Sequence, residues 1–219
     1  MEFNFIEDIP QESGLLVYER MIKRPKFDKN QVPLLSEFPD QDVENENMVE
    51  ISGPPKSGKT LLAIKIAKLA ANGGDVIVFN CSGHVKESHF QEQSAPHEVH
   101  LLEVFDLQSF EIALSNLPEI LFNLTSVNCI IFDGMDNPYF SFEYKSETST
   151  LTSYENYILG RVSSTLKPYN VMCIYTKERS TAENDGELII PRINLTLETT
   201  NWEARLESPG FSSQKTLAF

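Results

Sequence analysis

A short apolar run beginning at Met48 meets Gly53-Pro54-Pro55-Lys56-Ser57-Gly58-Lys59-Thr60 and passes into a helical pattern. Strand, then G-x-x-x-x-G-K-[ST], then helix is the context in which this spacing makes a phosphate-binding loop. Gly53 and Gly58 have no Cβ, so the backbone can wrap and aim its N–H groups at phosphate oxygens, while the start of the following helix adds positive partial charge. Lys59 would reach the β- and γ-phosphates of a nucleotide. The Thr60 hydroxyl would sit on a Mg²⁺ ion bridging the same phosphates. The bland alternative is a Gly/Pro turn between two ordinary elements.

The rest of the chain alternates strand and helix patterns. From Leu61, apolar Leu62, Ile66, Leu69 and Ala70 recur at helical spacing with Lys65 and Lys68 opposite, and Gly73-Gly74 reads as the stop. Asp75 to Phe79, Val99 to Phe105, Val127 to Asp133 and Val171 to Thr176 read as strands. Between them fall a helix capped by Asp106 that runs to about Leu124 with a break near Pro118, and another from about Leu151 to Leu166, ended by Pro168. From Ile189 the period changes: Ile189 to Leu197 and Trp202 to Leu206 look extended, separated by a Thr-Thr-Asn turn, with a further turn at Ser208-Pro209-Gly210. The pattern predicts an α/β fold, a mostly parallel doubly wound sheet with a C-terminal antiparallel meander on one edge.

Composition narrows the class. Its 219 residues, 41% hydrophobic and 23% charged, suffice for a sizeable globular core. The net charge of −14 works against a non-specific grip on nucleic acid, which depends on Lys and Arg neutralising phosphates. No apolar run is long enough to span a bilayer, and Met1-Glu2-Phe3-Asn4 does not open a signal-peptide pattern, so a nuclear or cytosolic location is expected. Cys81, Cys129 and Cys173 each fall inside or at the end of a strand and read as small buried residues. Cys81-x-x-His84 with His89 nearby hints at a metal site, but a fourth ligand at zinc-like spacing is missing, and the only metal expected is nucleotide-bound Mg²⁺.

A Mg²⁺-dependent phosphate site needs a carboxylate at the end of a neighbouring strand, and Cys129 to Phe132 delivers Asp133 there. With these residues in place, the order from Glu12-Ser13-Gly14-Leu15-Leu16 through the phosphate loop and Asp133 to the terminal hairpin resembles RecA-type ATPases. It is nearest to the eukaryotic recombinase paralogues of the short X-ray-repair-cross-complementing branch, which lack the helical N-terminal domain of the full recombinase. The resemblance implies a RecA-like core over residues 48–219 that holds ATP and Mg²⁺ through Gly53 to Thr60 and Asp133. It also implies a role in homologous-recombination DNA repair as a heteromer with a RecA-like recombinase or another paralogue. Residues 1–47, acidic and interrupted by prolines, read as a linker or docking segment whose Phe3, Phe5, Leu34, Leu35 and Phe38 await a partner or pack on the chain's own sheet.

The departures from the family pattern bear on activity. Where active members carry a water-activating Glu after the second strand, alignment on Phe79-Asn80-Cys81-Ser82-Gly83 places Ser82. Where they carry a γ-phosphate-sensing Gln after the fifth, Thr176-Lys177-Glu178 places Glu178. A hydroxyl takes no proton from water near neutral pH, and a lost base typically costs ~10²–10⁴ in rate. A shift of alignment would instead bring up Glu87 or Glu92. Of the two loops that grip DNA in recombinases, the first corresponds to Asp136 to Thr150 and the second to Lys177 to Leu188, and neither is a basic strip. Tyr139, Phe140, Phe142 and Tyr144 in the first could stack bases, dock a partner or be core residues. The expectation is an ATP-binding, weakly hydrolysing accessory subunit that meets single-stranded DNA mainly through its partner. The alternatives are a P-loop nucleotide or small-molecule kinase and a non-hydrolysing scaffold.

Overall fold

The computed structural model describes residues 24–39, 47–91, 94–135, 151–178, 191–198, 201–208 and 211–217. Eight strands form one sheet in the order β3-β2-β4-β5-β1-β6-β7-β8. β1 (Met48–Gly53), β2 (Asp75–Asn80), β3 (Val99–Glu103), β4 (Val127–Asp133) and β5 (Met172–Glu178) pair in parallel. β6 (Arg192–Glu198) adds parallel to β1, and β7 (Asn201–Ser208) and β8 (Phe211–Leu217) complete an antiparallel meander. This is the RecA-like layout that the resemblance implied. β8 is a third meander strand, paired antiparallel with β7, and the sequence pattern did not single it out.

Alternation along the central strands decides which side each residue faces. Val76, Val78, Cys129 and Ile131 join one core, whereas Ile77, Phe79, Ile130 and Phe132 join the other. Strands buried on both faces read as unbroken apolar runs because helices cover both sides. α1 (Lys59–Ala70) covers the first face through Leu62, Ala63, Ile66, Ala67 and Ala70. α2 (Leu107–Asn123) and α3 (Leu151–Leu166) cover the second, where Phe79 stacks on Phe132 at 4.6 Å between ring centroids and Phe110 tilts against Phe132 at 5.8 Å. Among the described residues no helix is long and apolar enough to cross a membrane.

Three details differ from the sequence reading. α2 does not break at Pro118 but runs through it to Asn123. A proline there removes a single N–H bond, and buried Leu114, Leu117 and Leu121 hold both halves of the helix on the sheet. α1 ends on Ala71 in the right-handed helical region rather than on a left-handed glycine. Gly73 and Gly74 are small for packing, since a Cβ on Gly74 would lie 2.5 Å from the Ser126 carbonyl oxygen. Finally, β5 extends past Thr176, so Lys177 and Glu178 are strand residues opposite Ser52 and Gly53 and not the start of a loop.

The segment before β1 belongs to the core. Val32, Leu34, Leu35 and Phe38 are buried with α1's apolar face, and Phe38 meets Phe211 of β8 at 6.0 Å. Lys29 Nζ donates to the Phe38 carbonyl at 2.5 Å, and Lys215 of β8 pairs with Glu37. Arg24 lies over the Tyr169 ring at 5.1 Å and donates to the Leu124 carbonyl at 3.3 Å, at the C-terminal end of α2. Docking of a partner by Leu34, Leu35 and Phe38 is therefore overturned: these side chains pack on the chain's own sheet. Phe3 and Phe5 lie outside the described residues.

Candidate functional site

The parallel strands β1, β4, β2 and β5 all end at one edge of the sheet, and the site is built there. β1 ends at Gly53 with φ of 155°, where a Cβ would lie 2.4 Å from the Leu195 carbonyl oxygen and 2.6 Å from Ser57 Oγ. The loop then turns through Lys56 and Gly58, with φ of 64° and 86°, before α1 begins at Lys59. Glycine adopts such positive φ values without strain, whereas Lys56 takes its left-handed value at some cost. Gly53 and Gly58 therefore sit where the backbone favours a residue without a Cβ. Lys59 Nζ donates to the Gly53 and Pro54 carbonyls, at 2.9 Å each, which folds it over the loop. The buried Ser57 Oγ has no hydrogen-bond partner. A cradle with a buried hydroxyl awaiting a partner and an ammonium held over it fits a phosphate group.

Asp133 ends β4, fully buried, and its carboxylate accepts from three hydroxyls on three other elements. Thr60 Oγ1 of α1 lies 3.0 Å from each oxygen, Thr176 Oγ1 of β5 lies 3.0 Å from Oδ1, and Ser82 Oγ lies 2.5 Å from Oδ2. Thr176 is oriented by accepting from Gly134 N at 2.7 Å. The two residues that the sequence reading assigned to the metal thus meet across the fold. A hard divalent cation takes six or more oxygens, so Thr60 and Asp133 would supply two and phosphates and water the remainder. Among the described residues no group of three or more His, Cys, Asp or Glu side chains suited to a metal occurs.

Ser82 and Glu178 both reach the site. Ser82 follows β2, packs against Gly134 so closely that a Cβ there would come within 2.9 Å, and commits its proton to Asp133. It has no basic lone pair for water. Glu178 stands opposite Gly53 in the sheet and is one of the residues lining the cleft. The realignment through Glu87 finds no support, because Glu87 is exposed and lies outside the cleft wall; Glu92 is outside the described residues. So is the whole of Asp136 to Thr150, with its four aromatic residues, and the second loop beyond Glu178.

The cleft holds about 690 Å³ between the phosphate loop and the turn after β2. Leu61 and Ile64 of α1 give it an apolar wall, and His84 and His89 line it beside Ser82. The sequence reading noticed both histidines, but as a faint metal hint with Cys81. Cys81 is buried in the core beneath, where desolvation first and then the Asp133 charge push its thiol well above the usual range. It is no thiolate ligand. The signal that separates these residues is strand alternation continued one step past Asn80, which buries Cys81 and leaves the following loop facing the cleft.

No protein-family model matches the chain. Over 110 residues it is 27% identical to the DNA repair and recombination protein RadB of Methanococcus maripaludis, covering 48% of this chain and 50% of that protein. The chain thus spans about half the length of the curated relative it matches.

Proposed function

We propose that this chain binds Mg–ATP and serves as an accessory subunit in homologous-recombination DNA repair, a RecA-type paralogue nearest the eukaryotic X-ray-repair-cross-complementing branch. In this reading it works in the nucleus, in a heteromer with a recombinase or another paralogue, and stabilises recombinase filaments on single-stranded DNA. The observation that carries the nucleotide part is the buried Asp133 carboxylate held by the Thr60 hydroxyl next to a glycine-built cradle with the buried Ser57 hydroxyl in it. The recombination part is supported by the partial similarity to RadB and by the sheet order. Weak hydrolysis follows from Ser82, whose proton already points at Asp133 where a water-activating carboxylate is needed. The kinase alternative calls for a lid with catalytic arginines, and residues 136–150, where a lid would fall, contain none.

The accessory role is tested by salt-dependent titration of single-stranded DNA with the chain alone and with its co-purifying partner. With a net charge of −14, the lone chain is expected to bind weakly and with a shallow salt slope, the complex tightly. Tight, steeply salt-dependent binding by the lone chain at physiological ionic strength contradicts the proposal.

A further inference from the structure

The turn that follows β2 is anchored at both ends. Asn80, 1% exposed, donates from Nδ2 to the Val85 carbonyl at 2.9 Å and accepts from Val85 N at Oδ1 at 3.2 Å. Val85 is buried, and Phe90 packs against the same core as α1. Between these anchors Glu87–His89 forms one 3-10 turn, in which His89 Nδ1 accepts from the backbone N–H of Lys86 at 3.1 Å. A ring nitrogen that accepts a backbone N–H has its lone pair engaged, so the neutral ring carries its proton on Nε2. The fold thus places a ring held at Nδ1, with its proton on Nε2, among the residues that line the cleft.

The position of that wall gives the donor a target. Thr60 and Asp133 mark where a cation would bridge the last two phosphates, and Ser82, at the root of the His89 turn, touches that same Asp133. The turn therefore closes the cleft on the terminal-phosphate side, facing the loop that cradles the inner phosphates. We infer that His89 donates its Nε2–H to the terminal phosphate and makes the site prefer a nucleoside triphosphate to a diphosphate. It acts as a binding donor and not as a base, because its one lone pair is spent on Lys86. This rests on the proposed nucleotide reading and adds to it a residue outside the phosphate loop.

Three variants separate this role from a structural one. Gln places an amide donor near the Nε2 position but loses the Nδ1 acceptor; Asn keeps an acceptor for Lys86 N–H but falls short of the cleft; Ala removes both. Equilibrium titration with Mg–ATP and Mg–ADP is expected to show triphosphate preference in the wild type. His89→Ala and His89→Asn should lower ATP affinity roughly tenfold while leaving ADP within about twofold, and His89→Gln should keep most of the preference. Rescue by Asn instead of Gln, an equal loss for both nucleotides, or no change overturns the assignment and leaves the nucleotide site standing. A wild type that binds neither nucleotide, or whose binding is indifferent to Lys59→Ala, overturns the nucleotide site itself and the role of His89 with it.

Discussion

Replacing Lys59 by alanine is expected to lower affinity for Mg–ATP by about two orders of magnitude, the loss of a charge-assisted contact worth roughly 3 kcal/mol. The ammonium is already held over the loop by the Gly53 and Pro54 carbonyls at 2.9 Å. Those carbonyls hold it where phosphate oxygens would compete for the same protons, so little side-chain freedom remains to be lost on binding. Folding should change little, since the lysine contributes no apolar packing to either core. Isothermal titration of both proteins, with thermal unfolding as a control for folding, checks this. Equal affinity in wild type and variant contradicts a phosphate role for the loop.

Phe38→Ala is expected to destabilise the chain by about 3–5 kcal/mol, a large part of the stability of an ordinary domain. The ring is 1% exposed and packs with Leu35 and Val32 against α1 and with Phe211 across to β8. Its removal opens a cavity where the segment before β1 and the far edge of the sheet meet, beside the Lys215–Glu37 pair. Urea unfolding should show a lower midpoint at unchanged slope. A loss below about 1 kcal/mol contradicts the placement of this segment in the core and restores a docking role to it.

The elements most legible in the sequence are those whose signal is local. β1, the phosphate loop and α1 carry glycine spacing and helical periodicity within one stretch, and the closeness of Thr60 and Asp133 follows because a parallel sheet brings strand ends to one edge. What was missed depends on tertiary contacts. The sequence left Leu34, Leu35 and Phe38 open between a partner and the chain's own sheet, because a proline-interrupted stretch without periodicity does not announce the surface that α1 and β8 supply. The continuity of α2 through Pro118 comes from Leu114, Leu117 and Leu121 on the sheet, which outweigh one missing hydrogen bond. β5 runs on to Glu178 because β1 continues beside it to Gly53, a pairing no local propensity of Lys177 or Glu178 announces. The orientation of His89 rests on one backbone N–H three residues earlier, a detail of turn geometry that composition does not carry.

The central claim is a site built to hold Mg–ATP without turning it over, because the only hydroxyl at the water-activating position donates to Asp133. One measurement joins both halves: saturating Mg–ATP is added to the purified chain, and bound nucleotide and released phosphate are followed in the same sample. The account predicts near-stoichiometric nucleotide occupancy with turnover at least a hundredfold below the ~10 s⁻¹ typical of enzymes. Turnover near that typical rate, or an absence of bound nucleotide, would contradict it.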